Sequence, residues 1–339
     1  MRSVRQLLGS LVDYAGLYPP AGLAMGPAVE NYARDRAGEH AWMQGRLVVG
    51  TKRLRELSAA GAALMPGTFA TSGYREHAGS HPMGGAYEPW RLSVLLDGAS
   101  GLEGDEAMEG LEKDLQTIEG FNEHHSAEDH GLAVIDSVEV KPGSVDMIDA
   151  LLDEMPEGLR VYFEVPWGVG GVDGRGMIAA MSGGEASAKI RTGGLVAGAF
   201  PSVGDVAGFI EQCRLAGVSF KATAGLHHPL RGEQRLTYEK DAPRGVMHGF
   251  LNVFLAAALA HAQGAGAAGG GQGFGVSDIE GVLCETSRGA FEFGDAGVKY
   301  KRWTLTLEQI ERARSAFALS FGSCSFEEPV EDLRGLGLL

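Results

Sequence analysis

No run of apolar residues in this chain is long enough to cross a bilayer. The longest, Phe250 to Ala260, is bounded by His248 and His261, whereas a span needs about 20 residues; it is predicted to be a buried helix. Cysteine is sparse too. Cys213, Cys284 and Cys324 are odd in number and widely separated, so neither a disulfide framework nor a zinc-ligand spacing follows, and a reducing cytoplasm is the expected compartment. Basic residues are in deficit, 29 Lys and Arg against 44 Asp and Glu. The resulting net charge of −15 speaks against nucleic acid and anionic membrane surfaces as partners. The first residues carry two arginines, but Asp13 cuts their apolar run, so no signal peptide is read there. What remains is a folded globular composition, 44% hydrophobic and 22% charged.

Glycine is plentiful, 52 residues, about twice the usual share, and much of it sits where strands hand over to loops. Eight apolar, β-rich runs read as strands: Leu11–Tyr18, Arg46–Thr51, Arg91–Asp97, Leu132–Val140, Leu159–Val165, Ala188–Thr192, Val218–Thr223 and Phe317–Phe321. Helical patterns fall between most of them, at Pro27–Arg36, Leu54–Leu64, Glu106–Asn122, Val145–Met155, Val206–Leu215 and Gly249–His261. Strands alternating with helices indicate a parallel sheet, and eight such units predict an α/β TIM (β/α)8 barrel, with its active site at the C-terminal ends of the strands. The chain, 1–339, is read as one domain, with 229–304 forming a helix plus an insertion between strands seven and eight. Inside it, Gly264–Gly275 reads as a glycine-rich loop, and Val282–Glu285 and Val298–Trp303 as short extra strands. No strand precedes the Gly271–Gly275 run closely and no helix follows, which disfavours a dinucleotide site.

Two segments carry most of the functional information: Ala188-Lys189-Ile190-Arg191-Thr192-Gly193-Gly194 and Ser219-Phe220-Lys221-Ala222-Thr223-Ala224-Gly225. Each reads as a strand ending in glycine with a lysine inside it, and one helix-length connection separates them. The strands should be parallel neighbours with their lysines across a shared pocket. Lysine is almost never buried unless it is paired or chemically employed. Two ammonium groups in one pocket should depress each other's pKa, and a neutral lysine can attack a carbonyl to form a Schiff base. The alternative reading of each lysine is a structural ion pair, with Glu164 or Asp136 as partner.

With their neighbours, these strands resemble the deoxyribose-phosphate aldolase family, class I aldolases on a TIM barrel. Lys189-Ile190-Arg191-Thr192-Gly193 is similar to the family's Schiff-base strand, and Val218-Ser219-Phe220-Lys221-Ala222-Thr223-Ala224-Gly225 to its second-lysine strand. Val134-Ile135-Asp136-Ser137-Val138 resembles the strand with the catalytic aspartate, and Leu159-Arg160-Val161-Tyr162-Phe163-Glu164 the glutamate-bearing strand. Ser320-Phe321-Gly322-Ser323-Cys324-Ser325 resembles the loop whose backbone holds the substrate phosphate. The resemblance covers strands four to eight, about half the chain. It implies a lyase acting on a carbon–carbon bond, with Lys189 as nucleophile, Lys221 tuning it and Asp136 as acid and base. This chain departs from the family pattern in having Arg191 where a small hydroxyl residue is usual, and Ala224-Gly225-Leu226-His227-His228-Pro229 in place of a glycine pair.

Around that catalytic set, the expected substrate-binding residues are Arg191, Thr223, Glu164, His227 and His228, together with Gly322, Ser323 and Ser325 of the glycine-serine turn. Arg191 shares a face with Lys189 by the period of two along a strand and offers a fork for a carboxylate or phosphate. Tyr14, Tyr18 and the Pro19-Pro20 turn are expected at the mouth of the pocket. His124, His125 and His130 lie in an acidic connection and read as solvated. No cofactor or metal is expected; the partner is a small, anionic carbonyl compound, and a homo-oligomer is compatible with the sequence. Two other classes stay open: a metal-dependent barrel lyase or hydrolase using Glu139, Glu164, His227 and His228, and a non-catalytic barrel that binds a small anion.

Overall fold

A strand buried on both faces shows continuous apolar character rather than alternation, and the eight β-rich runs have that character except at a few inward positions. In the computed structural model, which describes residues 1–68, 88–127, 130–168, 173–263 and 273–339, they close into a parallel barrel. Its strands are β1 (Val12–Tyr14), β2 (Gln44–Gly50), β3 (Trp90–Leu95), β4 (Ala133–Val140), β5 (Arg160–Glu164), β6 (Ala186–Arg191), β7 (Ser219–Thr223) and β13 (Ala318–Ser323), in sequence order around the ring, with β13 pairing back onto β1. The protein is a TIM barrel.

Helices α1 (Arg2–Leu8), α2 (Met25–Arg36), α3 (Leu54–Gly61), α4 (Gly104–His124), α5 (Asp146–Asp153), α6 (Gly174–Ala180) and α7 (Val203–Ala216) precede β7 or link the strands. The connection from β7 to β13 carries an antiparallel hairpin, β8 (Gly232–Arg235) with β9 (Arg244–Met247), and helices α8 (Phe250–Gln263) and α9 (Val276–Leu283). It continues through a three-stranded antiparallel sheet, β10 (Phe291–Phe293), β11 (Gly297–Tyr300) and β12 (Trp303–Thr306), into α10 (Leu307–Ala316); α11 (Glu327–Gly335) follows β13. The expected strand at Val282–Glu285 is instead the end of α9, because Ile279, Val282 and Leu283 recur at helical spacing and are all buried. The expected strand at Val298–Trp303 is two, separated by a turn at Lys301. Most of the expected loop 264–275 lies outside the described residues. No helix among them is long and apolar enough to cross a membrane.

Along β7, Phe220 faces outward into an aromatic layer with Phe209, Phe254 and Phe317, while Lys221 faces the barrel interior. The same alternation on β6 puts Ser187, Lys189 and Arg191 on the inward face. Ser187 pairs with Ser219 and Lys189 with Lys221 in register, and the two serine hydroxyls lie 2.7 Å apart. The two lysines are thus direct cross-strand neighbours.

The glycines that end these segments have a mechanical reason. Ala224 and Gly225 take left-handed conformations, φ 60° and 73°, and a Cβ on Gly225 would meet the Gly193 backbone at 2.7 Å. The loops leaving β6 and β7 therefore touch, and only hydrogen fits between them. Thr192 clamps the same crossing, its hydroxyl donating to the Ala224 carbonyl at 2.5 Å. Gly225→Ala is expected to destabilise the fold by ~1–3 kcal/mol, from strain and contact together, measured as a lower urea midpoint.

Candidate functional site

Interiors of TIM barrels are usually filled with branched apolar side chains. Here the upper interior is a network of charges. Lys189 Nζ lies 2.8 Å from Glu139 Oε2 and 2.8 Å from Glu164 Oε2. Lys221 Nζ lies 2.6 Å from Glu139 Oε1 and 2.6 Å from Asp13 Oδ2. Glu139 is therefore shared, one carboxylate oxygen to each lysine. Ser93 donates its hydroxyl to Glu139 Oε1 at 2.7 Å, Ser320 donates to Asp13 Oδ2 at 2.8 Å, and Lys221 sits 5.3 Å from the centre of the Tyr162 ring. Five barrel strands supply the charged groups: β1, β4, β5, β6 and β7.

These contacts correct the expected electrostatics. Burial pulls the Lys189 pKa down, but Glu139 and Glu164 outweigh it and hold the amine above the ordinary lysine range. Lys221 is likewise raised, burial being overcome by Asp13 and Glu139. Glu139, opposed by burial, is held well below the usual carboxylate range by both lysines. The two ammonium groups do not leave each other neutral, because a carboxylate stands between them. In the resting protein both lysines are protonated.

The network forms the floor of a cavity of about 280 Å³ at the C-terminal ends of the strands, the small end of the range for ligand pockets. Glu164, Lys189, Arg191, Thr223 and Gly322 line it as expected, with Tyr18 and the Pro19-Pro20 turn at its side. A larger groove, about 1230 Å³, runs outside the barrel beside α4 and takes in Asp136; it is remote from the lysines.

Asp136 does not reach the site. It is the extra residue of a bulge, since Leu92 pairs with Ile135 and Ser93 already with Ser137. Its carboxylate accepts from Arg46 Nη2 at 3.0 Å and Arg91 Nε at 2.6 Å, residues near the starts of β2 and β3. The ion pairs, against burial, hold Asp136 below its usual pKa. Contacts at that end of a barrel serve stability, and the carboxylates that do stand beside Lys189 are Glu139 and Glu164.

His227 and His228 diverge. His228 Nδ1 contacts Asp332 at 2.6 Å on α11 and lines only a neighbouring chamber of about 310 Å³. His227 stands in the wall between the two spaces, its Nδ1 3.1 Å from Glu328 Oε2 and 4.0 Å from the Cys324 sulfur. Ser323 is buried, and the Ser325 hydroxyl accepts the Glu328 N–H at the start of α11 at 3.2 Å. The turn from Gly322 to Ser325 therefore caps a helix instead of presenting its hydroxyls to the cavity. Among the described residues no three His, Cys, Asp or Glu side chains gather as a metal-ligand set. The four residues of the metal-dependent alternative are dispersed, two of them bridged by lysine and two held by α11. His125, expected in solvent, is buried between the Ser58 hydroxyl and the Gly131 carbonyl, each at 2.8 Å.

Nothing matches the whole. Comparison with protein-family models, with curated proteins and with solved structures finds no match to this chain.

Asp13, Ser93, Tyr162 and Ser320 were not singled out for the site by sequence reasoning. Their signal is common to all four: a polar group inside a strand otherwise buried on both faces.

His227 gives a pH signature. Burial pulls its pKa down, yet the Cys324 sulfur and the Glu328 carboxylate hold the proton and raise it to about 9. A pKa raised above the unfolded value, about 6.5, stabilises the fold fully below that value, and the contribution is lost as pH rises through about 9. Urea unfolding of the wild type is expected to weaken by ~3 kcal/mol between pH 6.5 and 9.5, with a clearly flatter profile in His227→Gln. Equal slopes in the two proteins would refute the assignment.

Proposed function

We propose that this protein is a class I, Schiff-base lyase acting on a small carbonyl compound, with Lys189 as the nucleophile. The observation that carries the reading is the in-register pair Lys189 and Lys221, joined through Glu139 on the floor of a closed-ended cavity at the active end of a barrel. The resemblance of strands four to eight to deoxyribose-phosphate aldolases, carried by the same two lysine strands, points the same way.

Because Lys189 rests as an ammonium, the cycle begins with a proton transfer to Glu164, the more exposed of its two carboxylate partners. The neutral amine then adds to the carbonyl carbon, and the C=O electron pair goes to oxygen, which takes the proton that the added nitrogen gives up. Glu164 returns its proton as water leaves the carbinolamine, giving an iminium on Lys189. Glu164, again a carboxylate, takes the proton of the hydroxyl on the departing carbon while the carbon–carbon electron pair moves into the iminium, so that an aldehyde or ketone leaves and an enamine stays on Lys189. Glu164 returns that proton to the enamine carbon, and water hydrolyses the imine to release the second product and the amine. Lys221 and Glu139 keep the field around this exchange fixed; Lys221 stays charged between Asp13 and Glu139 throughout.

One observation favours a second reading, a small-anion-binding barrel without catalysis: every charged group of the network already has a partner. Borohydride reduction in the presence of small aldehydes and ketones, read by intact mass, separates the two. An adduct that maps to Lys189 supports the lyase; its absence across the panel leaves the binding protein.

A further inference from the structure

The cavity has two chemically distinct ends. At the floor, Asp13, Glu139 and Glu164 surround the two lysines. Toward the mouth stand the groups with spare hydrogen-bond donors. Arg191 lies two residues beyond Lys189 on the same face of β6, roughly 7 Å along the strand, and its guanidinium makes no ion pair or hydrogen bond among the described residues. His227 is 7% exposed and lines the same cavity. Its Nδ1 side is committed to Glu328 and Cys324, and its Nε2 has no partner among the described residues. An imidazolium held at one nitrogen by a carboxylate presents its other N–H as an oriented, charge-assisted donor.

The surroundings select among anions. A phosphate site in such a barrel uses backbone N–H groups and hydroxyls at a helix N-terminus. Here the candidate turn is spent: Ser323 is buried, the Ser325 hydroxyl receives the Glu328 N–H, and the first turn of α11 carries Glu327 and Glu328. Glu327 turns away to Arg34, but Glu328 already places a negative charge beside His227, which disfavours a phosphate dianion. The charged donors left are one guanidinium fork and one imidazole N–H, with the Tyr18 and Thr223 hydroxyls beside them, and a guanidinium fork matches a single planar carboxylate.

We infer that the compound bound by this cavity is a short oxo acid, its carbonyl carbon at Lys189 and its carboxylate held by His227 and Arg191, rather than a phosphorylated sugar. The inference rests on the Schiff-base reading for the position of the carbonyl, and on the mouth geometry alone for the carboxylate. About one strand repeat separates the two ends, which limits the chain between carbonyl and carboxylate to a few carbons, in keeping with a cavity of about 280 Å³.

The test compares pyruvate, dihydroxyacetone and dihydroxyacetone phosphate as borohydride-trapping probes on the full-length protein. Pyruvate is expected to half-label Lys189 at a concentration at least roughly tenfold below either of the others, the effect of one hydrogen bond to a charged group. His227→Gln and Arg191→Gln should each erase most of that preference. Arg191 is exposed, so its variant keeps the test alive if His227→Gln fails to fold. Preference for the phosphate, no preference, or a preference untouched by either variant would overturn the inference. If no probe is trapped, the Schiff-base reading fails, and the carboxylate is read separately by thermal shift with lactate against glycerol 3-phosphate. Stabilisation by lactate that Arg191→Gln removes upholds the carboxylate site; stabilisation by glycerol 3-phosphate alone, or by neither, overturns it.

Discussion

Lys189→Met is expected to abolish the borohydride-stable adduct and to lower carbon–carbon lyase turnover by roughly 10³-fold or more, the scale of loss when a covalent nucleophile is removed. Methionine keeps the unbranched stem and fills much the same volume, so packing is nearly preserved. The electrostatic damage is limited too. Glu139 keeps its other partner, Lys221, at 2.6 Å, and Glu164 is part-exposed and can be solvated. The variant should therefore fold, which separates loss of chemistry from loss of structure; near-native circular dichroism and an unshifted elution volume are the controls. An adduct that persists at full yield in Lys189→Met, mapping to Lys221, would exchange the roles of the two lysines. Lys221→Met is the complementary measurement. It leaves Asp13, almost fully buried, without its ion-pair partner, and should cost stability as well as turnover.

The second large effect belongs to Glu139. Its carboxylate is the one counter-charge common to both lysines and is itself almost wholly buried. Deleting it takes one of two carboxylates from each lysine and removes the charge that stands between the two ammonium groups. Glu164 and Asp13 remain, which sets the cost toward the lower end of the about 3–5 kcal/mol for breaking a buried pair. Glu139→Leu, which deletes the charge while filling the space, should lose that much in urea unfolding at pH 7. Glu139→Gln should lose less, because the amide oxygen can still accept from one lysine. A loss below about 1 kcal/mol in the leucine variant would mean that Glu164 and Asp13 alone suffice to hold the lysines. The pH dependence has a definite sign. Both lysines hold Glu139 below its ordinary range, so its contribution is present above the unfolded carboxylate value, about 4.3, and disappears only as pH falls far into the acid.

The architecture was legible because barrel strands lie between two apolar layers and so read as apolar runs between glycine-marked turns. All eight runs became barrel strands, with ends displaced by a few residues. Short outer helices such as α6 and α11 were not read, since Gly174-Arg175-Gly176 and Pro329 weaken the helical pattern that tertiary packing restores. The pairing of Lys189 with Lys221 was legible from parallel register and one crossover. The acid was not. Asp136 and Glu139 lie on one strand, and the bulge at Asp136 decides which inward position each neighbour takes. A bulge depends on the partner strand and leaves little trace in the sequence around it. The charge state of the lysines was legible only in part: Glu164 was read as an ion-pair partner and is one for Lys189, whereas Asp13 and Glu139, on β1 and β4 and far away in the chain, were not read as partners. The two histidines looked equivalent as neighbours, and only the position of α11 separates one that faces the cavity from one that does not.

The cluster of Arg46, Asp136 and Arg91 near the starts of the strands has a kinetic consequence. It ties the starts of β2, β3 and β4 together at the end opposite the cavity, and the interior of such a barrel is filled by side chains and is not a pore. Whatever enters must leave by the same mouth, past Tyr18, Arg191 and His227. For a bond-cleaving cycle this imposes a queue. The fragment still tethered to Lys189 sits deepest, so the untethered fragment must depart first, and water must then follow the same route inward before the second can go. Product inhibition should accordingly be ordered, with the untethered product able to re-enter and add to the waiting enamine.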